Sequence, residues 1–352
     1  MKDALALAGR VLEKLTATHA GGGENDHLTL DTWEWPQGVA VYAMLKLWRA
    51  TGDSAVLGQV RDWYEGHIAR GLPPRNVNTT APMLGLTVLY EHTRDARYRS
   101  LIEDWALWVI NGMPRTQEGG LQHITSDDVN TTHDENPQQL WDDTLYMTVL
   151  FLLRAGLALE RPEWVAEAEY QLTLHIKYLH CPHNGLWYHG WTFEGRHHFG
   201  GAFWARGNAW ITAGAPEFLE WMPQGAARRL LMETWREQCA ALLPLQDAQT
   251  GLWHTLLDHA DSYVETSASA AIAYGLLKGA RLGWLGEDAA RAGLRAAEGV
   301  AAQIGPDGWV ANVSYGTPMG MDLDFYRGIP LRPTAYGQGL AFLMFTELIG
   351  AQ

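Results

Sequence analysis

Asn184-Gly-Leu-Trp-Tyr-His189 is one of four short segments that resemble one another along the chain. The others are Glu118-Gly-Gly-Leu-Gln-His123, Thr250-Gly-Leu-Trp-His254 and Asp307-Gly-Trp-Val310. Each opens on a turn signal, aligned on Gly120, Gly185, Gly251 or Gly308, and runs into a short aromatic stretch that reads as extended. Recurrence at intervals of roughly 60 residues is the mark of a fold built from repeated units.

Helical patterns fill the intervals. One in each unit is apolar nearly all round: Val39–Trp48, Pro82–Tyr90, Thr144–Leu157, Ala209–Leu219, Ser267–Leu277 and Gly339–Leu348. Most then reach a break, such as Thr51-Gly-Asp53, Thr93-Arg-Asp95, Glu160-Arg-Pro162 or Leu282-Gly-Trp-Leu-Gly286, and continue into a more amphipathic helix. An all-round apolar helix is buried, and one with a single apolar face covers it. Six buried helices, each with a covering helix, predict an all-α (α/α)6 barrel, and a unit of about 60 residues holds two helices of about 15 residues with their connections. An α-solenoid would show a more uniform period and less apolar helices. No Ser/Pro-rich stretch or charge run divides the 352 residues, so one domain, 1–352, is expected, with Gly21-Gly-Gly23 the only loose segment.

Met1 to Leu15 reads as an amphipathic helix without the apolar centre of a signal peptide. No stretch approaches the run of about 18 apolar residues a membrane span needs. Cys181 and Cys239 are too few for a disulfide framework. Together these predict a cytoplasmic protein that engages no membrane. A net charge of −14 argues against nucleic acid as a partner, though local cations can still hold a small anion. Nine of the 17 tryptophans (Trp33, Trp35, Trp141, Trp187, Trp191, Trp204, Trp210, Trp253 and Trp309) sit beside Gly, Pro, Asn or charged residues, which suggests a ring-lined cleft for a sugar.

The residues before the buried helices carry the candidate chemistry. They read Trp33-Glu-Trp-Pro-Gln-Gly38, Asn76-Val-Asn-Thr79, Trp141-Asp-Asp-Thr144, Phe203-Trp-Ala-Arg-Gly-Asn208, Glu265-Thr-Ser267 and Arg332-Pro-Thr-Ala-Tyr-Gly337. In a barrel of parallel inner helices these ends meet at one mouth, where helix N-termini favour an anion. Capping explains Thr79 or Thr334 but not Trp141, Trp204, Arg206 and Gln37.

These motifs, with Pro74-Arg-Asn-Val-Asn-Thr79, Leu140-Trp-Asp-Asp-Thr-Leu-Tyr-Met147 and Asp322-Leu-Asp-Phe-Tyr326, resemble in their joint order the unsaturated rhamnogalacturonyl hydrolases, glycoside hydrolase family 105, related to the unsaturated glucuronyl hydrolases of family 88. The resemblance covers nearly the whole chain. It implies an (α/α)6 hydrolase that needs no cofactor or metal. Such enzymes remove a 4,5-unsaturated uronic acid from a lyase-generated pectin oligosaccharide by protonating C4 and adding water at C5. It places the general acid on Asp143, with Asp142 in reserve. The residues alone leave catalysis and simple helix capping both open for this pair. A general acid also needs a raised pKa, which burial and a neighbouring carboxylate would supply and a helix N-terminus would oppose.

By the same resemblance Arg206 would bind the substrate carboxylate through its planar fork. His123 and His189 would lie near the unsaturated ring, Trp141 and Trp210 would stack, and Gln37 and Asn208 would make polar contacts. Asn78 falls where some relatives carry a second acid. An amide can orient water but cannot act as a base, so water activation stays open, with His189 as one candidate.

Other readings compete. Asp142-Asp143 could belong to a terpenoid synthase, but Tyr146 stands where that pattern needs an acid. His180, His183, His189, His197 and His198 could suggest zinc, yet no His-Glu-x-x-His motif accompanies them. A sugar epimerase, an inverting glycosidase or a non-catalytic sugar-binding barrel would share the fold.

Overall fold

The computed structural model describes residues 3–19, 27–126 and 133–350, so Gly21-Gly-Gly23 lies outside the described residues. The helices follow in order: α1 Ala4–Thr16, α2 Trp35–Thr51, α3 Ser54–Arg70, α4 Val77–Thr80, α5 Pro82–Thr93 and α6 Ala96–Asn111. A π-helical turn, Leu145–Val149, leads into α7 Leu150–Ala158, and then come α8 Pro162–Leu179, α9 Ala205–Trp221 and α10 Ala226–Leu242. The chain ends with α11 Thr266–Arg281, α12 Glu287–Ala302, α13 Leu323–Arg327 and α14 Ala335–Ile349.

The breaks seen in the sequence end one helix and cap the next. Gly52 takes the left-handed conformation that closes α2, and Asp53 accepts the Ala55 amide at 2.9 Å to start α3. Arg94 and Asp95 repeat the device between α5 and α6. The six apolar patterns are the inner helices α2, α5, α7, α9, α11 and α14. Each packs on the next, and α14 returns to α2, so the ring closes. Around them α3, α6, α8, α10 and α12 cover their predecessors, and α1 covers α14. This is an (α/α)6 barrel. No helix among the described residues is long and apolar enough to cross a membrane.

The repeated segments are the turns at one end of the barrel. Their left-handed glycines are Gly119, Gly185, Gly251 and Gly308, with φ between 74° and 87°. The expected alignment on Gly120 is therefore off by one. Gly120 is a packing position, enclosed by Leu140 and Leu174. Short antiparallel pairs frame the mouth: β1 Thr125–Ser126 with β2 His133–Asp134, β3 Gln139–Trp141 with β4 Gly190–Thr192, and β5 Trp253–His254 with β6 Val264–Glu265.

At the other end of the inner helices lies a buried ion network. Glu217, 1% exposed, accepts from Tyr42 at 2.9 Å, Lys46 at 2.9 Å and Lys278 at 2.6 Å, and also from Tyr274. Burial favours the neutral acid there, but Lys278 and Lys46 outweigh it and hold the carboxylate well below its usual range.

Candidate active site

The mouth holds a cavity of about 540 Å³. Its wall comes from the N-termini of α2 (Glu34, Trp35) and α9 (Trp204, Arg206), from Asn78 on α4, and from Trp141, Asp143 and Met147 at the π-helical turn. His123, Ser126 and the segment Tyr315–Met319 complete much of the rest.

Asp142 and Asp143 sit where two elements lock together. Trp141 pairs with Gly190 across β3 and β4, and the Asp142 amide donates to the His189 carbonyl at 3.0 Å. The π-helical turn then follows, a local widening frequent at functional sites. Asp143 faces the cavity. Its Oδ1 accepts the Trp210 indole N–H at 3.1 Å, and its Oδ2 lies 3.3 Å from His189 Nε2. Burial pushes this carboxyl up, but His189, His123 and Asp142 together bring it down to about 2.

Asp142 lies behind, fully buried. The group it meets is the carboxyl of Asp143. Burial, then the charge of Asp143, push Asp142 well above the usual carboxylate range. With two carboxyls side by side, burial and like charge favour a single proton on the pair, on the buried member. Gly207 makes room for this, because a Cβ there would stand 2.2 Å from Asp142 Oδ2.

His189 is oriented from behind. Tyr326 Oη lies 2.7 Å from its Nδ1 and accepts the Gly320 amide at 3.1 Å. An Oη–H donated to Nδ1 leaves the ring proton on Nε2, directed at Asp143. His123 stacks on Trp141 at 4.1 Å, and its Nδ1 meets Thr144 Oγ1 at 2.7 Å. Burial lowers His123 to about 3, so this ring is neutral.

The structure brings Asp143, His123, Trp141, Asn78 and Arg206 to the cavity wall and sets the other expected residues behind it. Trp210 is 1% exposed and positions Asp143, so it is not a sugar-stacking surface. Asn208 is enclosed and ties the second repeated segment to α9, exchanging hydrogen bonds at 2.8 Å with both backbone groups of Trp187. Gln37 is likewise enclosed and donates to the Thr29 carbonyl at 2.8 Å. Both are corrections to the expected substrate contacts. His189 is a ring behind Asp143, 1% exposed, which does not suit it to activate water in the cavity.

Arg206 requires the largest correction. It is clamped between the rings of Trp204 and Tyr336, at 4.6 and 5.0 Å. Nη1 donates to the Ser314 carbonyl at 2.7 Å and also to its hydroxyl. Nη2 donates to the Tyr315 carbonyl at 3.1 Å and Thr317 Oγ1 at 2.7 Å. The fork expected to grip a carboxylate is engaged with the wall segment 314–317. Its charge is still at the cavity.

The nine tryptophans divide similarly. Trp35, Trp141 and Trp204 line the cavity, whereas Trp187, Trp210 and Trp253 are core. Sequence reading missed Glu34, Tyr326 and the 315–321 segment. Glu34 and Tyr326 stood inside quoted motifs; the segment carried no repeat or pattern to mark it. The suspected zinc histidines do not converge. Among the described residues, the His/Cys/Asp/Glu group close enough for an ion is Asp142, Asp143 and His189, within 4.8 Å, and Asp142 there favours its protonated form, a poor ligand.

Comparison with known proteins agrees with this fold. The profile of Glycosyl Hydrolase Family 88 matches residues 10–351. The chain belongs to glycosyl hydrolase family 88. It is 33% identical over 321 residues to the unsaturated rhamnogalacturonyl hydrolase YesR of Bacillus subtilis, covering 90% of each protein. The crystal structure of a possible GH105 member from Salmonella enterica serovar Paratyphi A superposes with a TM-score of 0.94 at 42% identity, covering 99% of this chain and 94% of that one. Unsaturated glucuronyl hydrolase of Bacillus sp. GL1 shares the fold, with a TM-score of 0.72 at 20% identity over 99% and 95% of the two chains.

Proposed function

We propose that this family 88 member hydrolyses the terminal 4,5-unsaturated uronic acid from lyase-generated rhamnogalacturonan oligosaccharides. The observation that carries the reading is the Asp142–Asp143 pair, whose outer member alone lines the cavity and whose inner member is driven toward its protonated form by burial and the neighbouring charge. A lone carboxylate near pKa 2 could not serve as a general acid. The pair can, because Asp142 resupplies Asp143 as it delivers a proton to C4.

Protonation at C4 leaves an oxocarbenium ion between C5 and the ring oxygen. Water adds at C5 and loses a proton. The resulting hemiketal opens by breaking the bond from C5 to the ring oxygen, which makes C5 a ketone and C1 a hemiacetal. The hemiacetal collapses to an aldehyde and releases the next sugar as an alcohol. One water is consumed and no electrons are transferred. Trp141 offers the unsaturated ring a flat apolar surface, and Asn78 faces its hydroxyls. Arg206 draws the carboxylate through its field and stiffens the wall that encloses it.

The whole chain is read as one catalytic unit, since the packing of α1 on α14 makes both part of one ring. Unpaired Cys181 and Cys239 support a reducing, cytoplasmic setting. The test is loss of the ultraviolet absorbance of the C4=C5 enol ether on a panel of lyase-generated disaccharides. Fast loss on rhamnogalacturonan-derived material supports the reading. Turnover confined to saturated glycosides, or binding without turnover, overturns it.

A further inference from the structure

The hydration step needs a base to take a proton from the incoming water, and Asp143, the acid at C4, can serve only water that arrives on its own face of the ring. His189 is behind Asp143 with both ring nitrogens occupied, Nδ1 by Tyr326 and Nε2 by the carboxylate. His123 has Nδ1 engaged by Thr144, and burial makes it a weak base. Asn78, Asn136 and Gln139 on the wall are amides. Among the described residues lining the cavity, the carboxyl groups are those of Asp143 and Glu34.

Glu34 precedes α2, between Trp33 and Trp35. It is 6% exposed, and what is exposed faces the cavity. Its setting is held from two sides. The Trp33 indole donates to the Thr79 carbonyl at 2.8 Å, which pins this end of α2 to α4. On the other side, Ser126 Oγ donates to Glu34 Oε1, and Asn76 Nδ2 donates to Ser126 Oγ at 2.8 Å. Asn76 is fixed in turn by a capping box with Thr79 on the helix that carries Asn78.

We propose that Glu34 is the general base that removes the proton from water as its oxygen bonds to C5. The assignment rests on the hydration reading above. The Asp142–Asp143 pair loses a proton to carbon, Glu34 gains one from water, and both return to their starting states through solvent after the hemiketal opens. Glu34 suits this exchange. Burial raises its carboxyl to about 7, against the opposing hydrogen bonds of Ser126 and the Trp35 backbone, and a base poised near the working pH is the effective one. The other titratable or charged groups on the described wall are His27, His123, Asp143 and Arg206.

The experiment is the pH dependence of kcat on an unsaturated disaccharide for wild type, Glu34→Gln, Glu34→Ala, Ser126→Ala and His27→Gln. Wild type should lose activity as pH falls through about 7, because the base must be ionised. Glu34→Gln should lose about 10²–10⁴-fold in kcat with KM little changed, and the acidic limb should vanish. Ser126→Ala removes a donor that favours the carboxylate, so its limb should move to higher pH, a displacement that a purely structural Glu34 would not produce. Formate should partly restore Glu34→Ala, which also shows that the variant is folded. A wild type active on the substrate, with Glu34→Gln near full kcat or with its limb unmoved, overturns the assignment. A limb that moves only in His27→Gln gives the role to His27. A wild type inert on every unsaturated disaccharide instead removes the hydrolase reading on which the assignment stands.

Discussion

Trp210 donates its indole N–H to Oδ1 of Asp143 at 3.1 Å, so the carboxylate that faces the cavity is aimed by a residue set behind the cavity wall. Asp143→Asn should therefore abolish turnover, by about 10²–10⁴-fold in kcat, with the fold and most of the affinity intact. Trp210→Phe keeps the ring and drops the N–H, so kcat should fall while KM holds. An Asp143→Asn enzyme retaining more than about a tenth of wild-type kcat would remove Asp143 from the chemistry.

Asp142 separates stability from activity. Its folded pKa lies well above the unfolded value of about 3.9. A raised carboxyl stabilises the fold fully below about pH 4, and that stabilisation is lost as pH climbs toward the raised value. Asp142→Asn is neutral at every pH. Its melting temperature should match or exceed wild type, with the margin widening from about pH 5 to pH 8. Turnover should nonetheless fall, since the proton store is gone. A variant destabilised throughout this range contradicts a protonated Asp142.

Arg206→Lys keeps the charge and loses the four contacts to residues 314–317. Hydrogen bonds from a charged donor contribute about 1.5–3 kcal/mol each. Both Tm and kcat/KM should drop, because one substitution loosens the wall and the carboxylate site together. Kinetic loss at unchanged Tm would instead favour a direct grip on the substrate.

Activity should survive exhaustive dialysis against a chelator. Asp142, Asp143 and His189 converge within 4.8 Å, but burial favours the protonated form of Asp142, and a metal would have to displace that proton. Loss restored by one divalent ion refutes the proton-sharing description.

Glu217→Gln leaves Lys278 and Lys46 facing a neutral amide in a buried place. Removing one partner of a buried ion pair typically costs about 3–5 kcal/mol. The denaturant midpoint should fall clearly while kcat stays near wild type, because this network lies at the other end of the inner helices. A variant as stable as wild type would mean the lysines find other partners.

The barrel was legible in the sequence because its signals are local. Gly52-Asp53 ends one helix and starts the next wherever the chain goes. The all-round apolar runs can be satisfied only inside a ring of other helices. The site was legible as far as motif position goes, which placed Asp143, Trp141, Asn78 and Arg206 at one mouth, and the family resemblance added His123. Depth was not legible. Trp141 and Trp210 look alike in sequence, yet one lines the cavity and the other stands behind a carboxylate. The direction of a guanidinium is equally hidden, because the acceptors of Arg206 lie more than a hundred residues away. Glu34 was quoted in its motif without a role, since its partner Ser126 arrives from another unit.

The packing of α1 on α14 makes the last hairpin of the ring from the first and last of the described helices. The units from α2 to α12 are hairpins of neighbouring segments and can assemble as they leave the ribosome. The gap between α11 and α2 cannot close until α14 has been synthesised, so a nascent chain stalled before residue 335 is an open horseshoe with two bare apolar flanks. Chaperone engagement should concentrate on that species. A circular permutant joining α14 to α1 and opened elsewhere would remove it, and should fold with less aggregation than the native order.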